Sequence, residues 1–286
     1  MRYHLIRHRG GIFKIYEDGS IEVVEEPKIR YCPGVYYGYG FKELDLDKCV
    51  EILRIKIEKY GLFTPNRKFE SDVFVPFGAS EMIMSGLRRG LLDAAVTVCD
   101  GAGTVITSNP KLVQGIGARL TGIIKTYPIK EIIEYIKMNN GYVLDESNAT
   151  IDCVRGVEEA IKLGFKNIAV TVAGFESNKI GLVRSIESKS NANIVIFVVC
   201  TTGVSRDDAY RMLNADLVWA SASKYVREIV GVKAILQVGL SIPVFILTKR
   251  GKEIALNHIL DLDIPMVIHR IKPPYLKTYK SPDPLI

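Results

Sequence analysis

Ile194-Val195-Ile196-Phe197-Val198-Val199-Cys200, running at once into Thr201-Thr202-Gly203, is the stretch on which the fold turns. An apolar run without polar alternation is how a strand buried on both faces reads, and such strands belong to parallel sheets covered by helices. The same grammar recurs upstream, where Ala94-Ala95-Val96-Thr97-Val98-Cys99 runs into Asp100-Gly101-Ala102-Gly103-Thr104. In an open α/β sheet, ligands bind in the crevice outside the carboxyl ends of the strands. A cysteine at that edge is placed for chemistry. The sequence therefore predicts that Cys99 and Cys200 face a shared crevice.

Strands and helices alternate around these two runs. Strands are predicted at 93–99, 142–144, 168–172, 194–200, 216–219, 234–238, 243–248 and 265–270, with a short apolar run at Val73 to Val75. Helices are predicted at 79–90, 128–138, 152–163, 177–189, 206–213, 223–230 and 250–260. Repeated units of this kind imply an α/β fold with a mostly parallel, helix-covered, Rossmann-like sheet. Local signals agree. Asn109-Pro110 is a good helix start, because asparagine caps and proline fits the first helical position. Ser205 and Asp208 form a capping-box pattern, and Gly164 suits a helix end. Gly115, Gly117 and Gly122 fall inside the helical stretch after Pro110. Each costs about 1 kcal/mol against alanine in a helix interior, so they ask for close approach by a ligand or another backbone, or for a broken helix. A pattern of glycine-rich loop, helix, strand, cysteine and small-residue loop occurs near 78–103 and again near 174–203. The sameness of βα units accounts for that echo.

Residues 1–44 read as a small β-rich segment. His8-Arg9-Gly10-Gly11 and Glu17-Asp18-Gly19-Ser20 supply turns between short alternating runs. Tyr31-Cys32-Pro33-Gly34-Val35-Tyr36-Tyr37-Gly38-Tyr39-Gly40 follows, either as a binding loop or as tyrosines packing the small sheet onto the body. Asp45 to Tyr60 is an amphipathic helix containing Cys49. The α/β body spans 45–271, and divides near 145–165 if it holds two α/β halves. Residues 272–286, with four prolines, form an irregular tail.

The 286 residues are 48% hydrophobic and 24% charged, with a net charge of +6, which is ordinary globular composition. Lys and Arg are scattered among acids and form no stripe, so no nucleic-acid partner is expected. No secretory signal or bilayer-spanning segment is visible, which leads to the expectation of a cytoplasmic protein with no membrane partner. Gln114 and Gln237 are the only glutamines, a bias that suits a thermophile. Five cysteines, at 32, 49, 99, 153 and 200, include no C-x-x-C pair and read as reduced thiols.

Several residue groups are candidates for chemistry. Cys99 fits a nucleophile, a redox thiol or a soft-metal ligand, each of which needs the thiolate, or a small buried hydrophobe. Asp100 is the carboxylate beside it. Gly101, Gly103 and Thr104, with Gly115 and Gly117, would let backbone amides approach a ligand, although the loop matches neither the Walker nor the dinucleotide pattern. Cys200, Thr201 and Thr202 precede helix amides, which hold anions and lower a thiol pKa. Ser221, Ser223, Lys224 and Arg227 offer hydroxyls and cations to a phosphate or carboxylate. Asp145-Glu146-Ser147-Asn148, leading to Asp152-Cys153, carries acids suited to a cation or to a helix dipole. The histidines at 4, 8, 258 and 269 form no ligand pattern. His4 and His8 share one strand face and are expected at the surface.

The run Cys99 to Ile106, then Asn109-Pro110 with Leu112-Val113-Gln114-Gly115-Ile116-Gly117-Ala118-Arg119, Ile168 to Ala173, and Ala220 to Glu228 together resemble the methanogenesis marker protein 8 family. The resemblance runs roughly from Asp72 to the last strand. It implies an archaeal protein tied to methanogenic metabolism, accessory to assembly or activation of methyl-coenzyme M reductase or its cofactors, and it brings no settled catalytic residues. Three functions stay open. In one, Cys99 and Cys200 handle a metal, sulfur or thiol cofactor, with iron–sulfur or zinc as the metal. In the second, the loops bind an anionic small molecule such as a nucleotide or phosphorylated coenzyme, and the cysteines merely pack. In the third, the protein is a non-enzymatic partner of the methanogenic machinery, using Tyr36, Tyr37 and Tyr39 as contact surface.

Overall fold

Arg9 and Gly10 hold left-handed backbone, with φ of 53° and 81°. They close the tight turn between β1 (Tyr3–His8) and β2 (Gly11–Tyr16), and β3 (Ile21–Glu25) completes the meander. The computed structural model describes all residues except 73, 74, 121 and 269. Burial alternates strictly along the first hairpin, with His4, Ile6 and His8 of β1 and Phe13 and Ile15 of β2 facing inward. After the short α1 (Pro33–Tyr39), α2 (Leu46–Tyr60) lies against this face. Asp45 caps α2 by accepting from the Lys48 amide, and Gly61, at φ 66°, ends it. The inward stripe of α2 is Cys49, Ile52, Leu53, Lys56 and Tyr60.

The body opens with α3 (Ala79–Arg88), β4 (Ala94–Cys99), β5 (Gly103–Thr107) and α4 (Pro110–Gly117). The chain then leaves it. β6 (Gly122–Lys125) pairs antiparallel with β1, giving a small sheet of order β3-β2-β1-β6. The body resumes with α5 (Lys130–Met138), β7 (Gly141–Val143), α6 (Cys153–Lys162), β8 (Asn167–Ala173), α7 (Lys179–Ser188) and β9 (Asn193–Val199). It closes with α8 (Arg206–Arg211), β10 (Leu217–Trp219), β11 (Leu236–Val238), β12 (Val244–Ile246) and α9 (Lys249–Ile259).

The large sheet has the order β11-β12-β10-β9-β8-β4-β5-β7. Its centre, β4, β8, β9 and β10, is parallel, and antiparallel strands flank it on both sides. Alternate residues of each central strand feed opposite cores, as a sheet covered on both faces requires. Val96, Val170 and Ile196 meet Val157, Ile180 and Val183 on one side. Ala95, Ala169 and Val195 meet Met82, Ile83 and Ile254 on the other. Buried Asp216 ties β9 to α9 and α7. It accepts from the Ile196 amide at 2.7 Å, Arg184 at 2.6 Å and Arg250 at 2.8 Å.

Some expectations change. The α/β sheet and the β-rich start stand, but the parallel character is confined to the four central strands. α4 ends at Gly117 and Gly122 opens β6, so only two of the three glycines are helical. The described residues of 265–270 form no strand. Of the helix expected at 223–230, residues 224–230 are helical, and the Val226–Val230 turn is π-type. His4 and His8 are buried, because the even positions of β1 face α2. The run at 73–75 lies outside the described residues except for Val75, as does His269.

Candidate functional site

Cys99 and Cys200 follow parallel strands with β8 between them, so both stand at the carboxyl edge of one sheet. Their surroundings differ. After Cys99 the chain enters no helix. It folds back as a hairpin in which Cys99 pairs with Gly103. Gly101 and Gly103 have φ of 73° and 70°. A Cβ on Gly101 would stand 2.7 Å from the Ile132 side chain, and one on Gly103 would stand 2.2 Å from the Ala149 carbonyl oxygen. The glycines thus accommodate the protein's own chain. The Cys99 side chain is buried among Ala102, Val105, Ile116 and Ile132, and its thiol donates to the Asp100 carbonyl at 3.3 Å. Burial pushes this thiol far above its usual range.

Asp100 is fully buried and accepts from the Phe63 amide at 2.6 Å and from Arg67 Nε at 2.7 Å. Arg67 also donates to the carbonyls of Gly115 and Ile116, at 3.0 and 2.9 Å, and so holds the end of α4. The Thr104 hydroxyl accepts from the Asp152 amide at 2.8 Å. Gly115 makes room for Phe69, and Gly117 for Ser80. Around Cys99, every polar group singled out from the sequence serves the fold.

Cys200 stands at a cavity. The small sheet and α2 arch over the sheet edge, and two adjoining chambers of about 340 and 240 Å³ lie beneath. Arg9, Lys56, Leu120, Gly122 and Cys200 border both. The larger chamber has an apolar wall that includes Val98, Val113, Ile123 and Ile151. The smaller is more polar and includes Arg7, Cys32, Thr202 and Ser221. Cys200 is a non-glycine residue at φ 55°, a conformation that costs energy and collects at functional sites.

Lys56 is the central cation. It projects from the buried stripe of α2, is 5% exposed, and has no hydrogen-bond or ion-pair partner among the described residues. Burial, then the charges of Arg9 and Arg119, push its amine down to about 7, against an opposing pull from Cys200. Arg9 Nη1 donates to Cys32 Sγ at 3.1 Å, while its buried Nε has no partner. The guanidinium of Arg119 lies over the Tyr60 ring and bonds Glu70. The acids of the larger chamber are engaged: Glu176 pairs with Lys179, and Glu81 accepts from Gln114 and Ser80. Burial lifts the Cys200 thiol to about 11 and the Cys153 thiol to about 12.

Of the residues read from the sequence, Cys153, Cys200, Thr202, Ser221, Gly117 and Gly122 border the cavity. Thr201 donates to the Trp219 carbonyl at 2.5 Å, and Ser223 accepts from the Val226 amide. Lys224 stacks on Tyr225. Arg227 is spent on the carbonyls of Ala220, Ser221 and Ser223. The residues not singled out beforehand are Lys56, Arg9 and Arg119. A signal existed for Lys56, since it occupies an inward position of the 49-52-53-56-60 stripe, where a lysine is out of place. Among the described residues, no group of three or more His, Cys, Asp and Glu side chains has the placement to hold a metal ion.

The fold and cavity define a class: an α/β protein whose parallel sheet edge is roofed by a small antiparallel sheet, with a cation-rich crevice between them. The chain belongs to the family described as "Uncharacterized protein conserved in archaea (DUF2099)", which matches residues 4–260. A relative from Methanocaldococcus jannaschii, itself named only as an uncharacterized protein, is 43% identical over 264 residues, covering 92% of each chain. No helix among the described residues is long and apolar enough to cross a membrane.

Proposed function

We propose that the crevice binds a small molecule with an anionic group and an apolar body. One observation carries this reading: Lys56 is buried without a counter-ion at the junction of two chambers, beside Arg9 with a buried, unpartnered Nε. An unpaired buried cation costs several kcal/mol, and a ligand anion offsets that cost. The apolar wall of the larger chamber receives the rest of the molecule.

This reading accommodates the resemblance to the methanogenesis marker protein 8 family. The crevice would hold an anionic coenzyme for a cytoplasmic accessory of methanogenic metabolism, with nucleotides and phosphorylated coenzymes as the first compounds to try. A second reading, thiol chemistry on the bound molecule, is favoured by the exposure of both Cys32 and Cys200 to the smaller chamber.

A thermal-shift screen of nucleotides, phosphorylated coenzymes and aromatic carboxylates tests the proposal. A ligand at a hundred times its dissociation constant stabilises by about 2.7 kcal/mol, and Lys56→Met should abolish most of that gain. An anion favours the charged form of Lys56, so binding takes up a proton above pH 7. Affinity then falls as pH rises, by up to about tenfold per unit. No stabiliser in the screen, or a hit indifferent to Lys56→Met, overturns the reading.

A further inference from the structure

The crevice holds a lysine that nothing in the fold uses. The Lys56 amine makes no ion pair and donates to no backbone carbonyl among the described residues, yet the residue borders both chambers. We propose that Lys56 is an imine-forming amine, and that the ligand is an anionic carbonyl compound of the 2-oxo acid class whose carboxylate is held by Arg9. This rests on the anion-binding reading above and adds a reaction to it.

Three features converge on this assignment. A lysine becomes a nucleophile when it is desolvated in an apolar pocket or set beside another cation, and Lys56 is both. The titratable and charged groups around it are Arg9 from the first turn, His8 from β1, Arg119 after α4, Cys200 after β9 and Asp100 in the β4–β5 hairpin. Asp100 is already engaged by Arg67, so the dominant influence is cationic. With the amine pushed down to about 7, a large share is neutral at physiological pH. In a surface lysine the neutral share is on the order of one part in a thousand. Arg9 borders both chambers at the same junction, and its guanidinium is the cation offered to the carboxylate. The walls contributed by Val98, Ile123 and Ile151 limit the water that would hydrolyse the product.

The step balances without any further reagent. The nitrogen lone pair attacks the carbonyl carbon, a C–N bond forms, and the π pair moves to oxygen. The oxygen takes one amine proton, giving a carbinolamine. The C–O bond then breaks and the oxygen leaves as water with the second amine proton. Ketone plus amine gives imine plus water, with no change in oxidation state.

The test uses the full chain with phenylpyruvate and, in parallel, phenyllactate, which keeps the anion and the apolar body but lacks the carbonyl. Both are assayed for thermal stabilisation, and both are incubated with cyanoborohydride and mapped by peptide mass spectrometry. The expected result is stabilisation by both acids and a reduced adduct from phenylpyruvate alone. That adduct sits on Lys56, forms at least tenfold faster than on any other lysine, and its rate rises with an inflection near pH 7. Lys56→Arg, which keeps the charge, removes the adduct. Stabilisation by both acids without a Lys56 adduct overturns the imine and leaves the anion site standing. Labelling confined to surface lysines also overturns it. Failure of both acids to stabilise, with no adduct, counts against the site as well as the chemistry.

Discussion

The hairpin after Cys99 and the loop after Cys200 look alike as sequence and do opposite things as structure. Each is a cysteine at the end of a buried strand followed by small residues. At the first, the chain doubles back, Ile129, Ile132 and Ala149 close over the glycines, and Asp100 is locked to Arg67. At the second, the chain goes on to a helix and a separate sheet arches overhead, leaving space. What distinguishes a site from a core at a sheet edge is what lies across from it. In this protein the facing element comes from the other sheet.

The widest gap between the two regions should appear in thiol accessibility. At pH 8.5, a small alkylating reagent should modify Cys200 at least about a thousandfold faster than Cys99, because Cys99 reacts only through large-scale opening. Comparable rates by peptide mapping would erase the contrast. Next comes Asp100→Ala, which leaves Arg67 charged and unpaired in the core. It should cost about 3–5 kcal/mol in chemical denaturation, and a cost below 1 kcal/mol would show that Asp100 is not structural.

A glycine pair sharpens the comparison further. Gly103 and Gly203 both have positive φ, but only at Gly103 would a Cβ strike backbone, the Ala149 carbonyl. Gly203→Ala should cost about 1–2 kcal/mol, the left-handed penalty alone, and Gly103→Ala about 2 kcal/mol more. Equal losses would mean that the hairpin is looser than described. The last contrast is a slope in pH. Lys56 releases its proton near pH 7 in the folded protein and near 10.5 when unfolded. Between those values the unfolded chain binds more protons, so stability rises with pH by up to about 1.4 kcal/mol per unit. Below pH 7 the penalty of the buried charge is fully present. Lys56→Met should flatten the slope and raise stability at pH 6 by about 1–3 kcal/mol. An unchanged slope would place the amine in solvent.

Strand and helix positions in the body were largely legible, because burial on both faces writes unbroken Val and Ile runs and the caps at Asn109 and Ser205 are local chemistry. Pairing was not. Val105 and Ile106 form a strand inside what reads as a polar loop, because Gly103 turns the chain back onto β4. β6 was hidden because four residues with a glycine carry no period. The site was legible only in part for the same reason. Cys200, Thr202 and Ser221 could be found from strand ends, whereas Lys56 and Arg9 belong to the roof, and no local pattern says where the roof will rest.

The excursion of β6 has a consequence for how the molecule is made. The first three strands emerge early in synthesis, with the outer edge of β1 lacking its neighbour until residue 125 has been translated. A bare strand edge is a template for wrong pairing, and loop-closure entropy opposes a contact across more than a hundred residues. All four strands of the roof are nevertheless translated before β8, β9 and β10, the parallel strands it covers, so the crevice comes into being only when those strands arrive beneath it. A nascent chain stalled after β6 would carry the whole roof but only β4 of the four parallel strands, and so no place for a ligand.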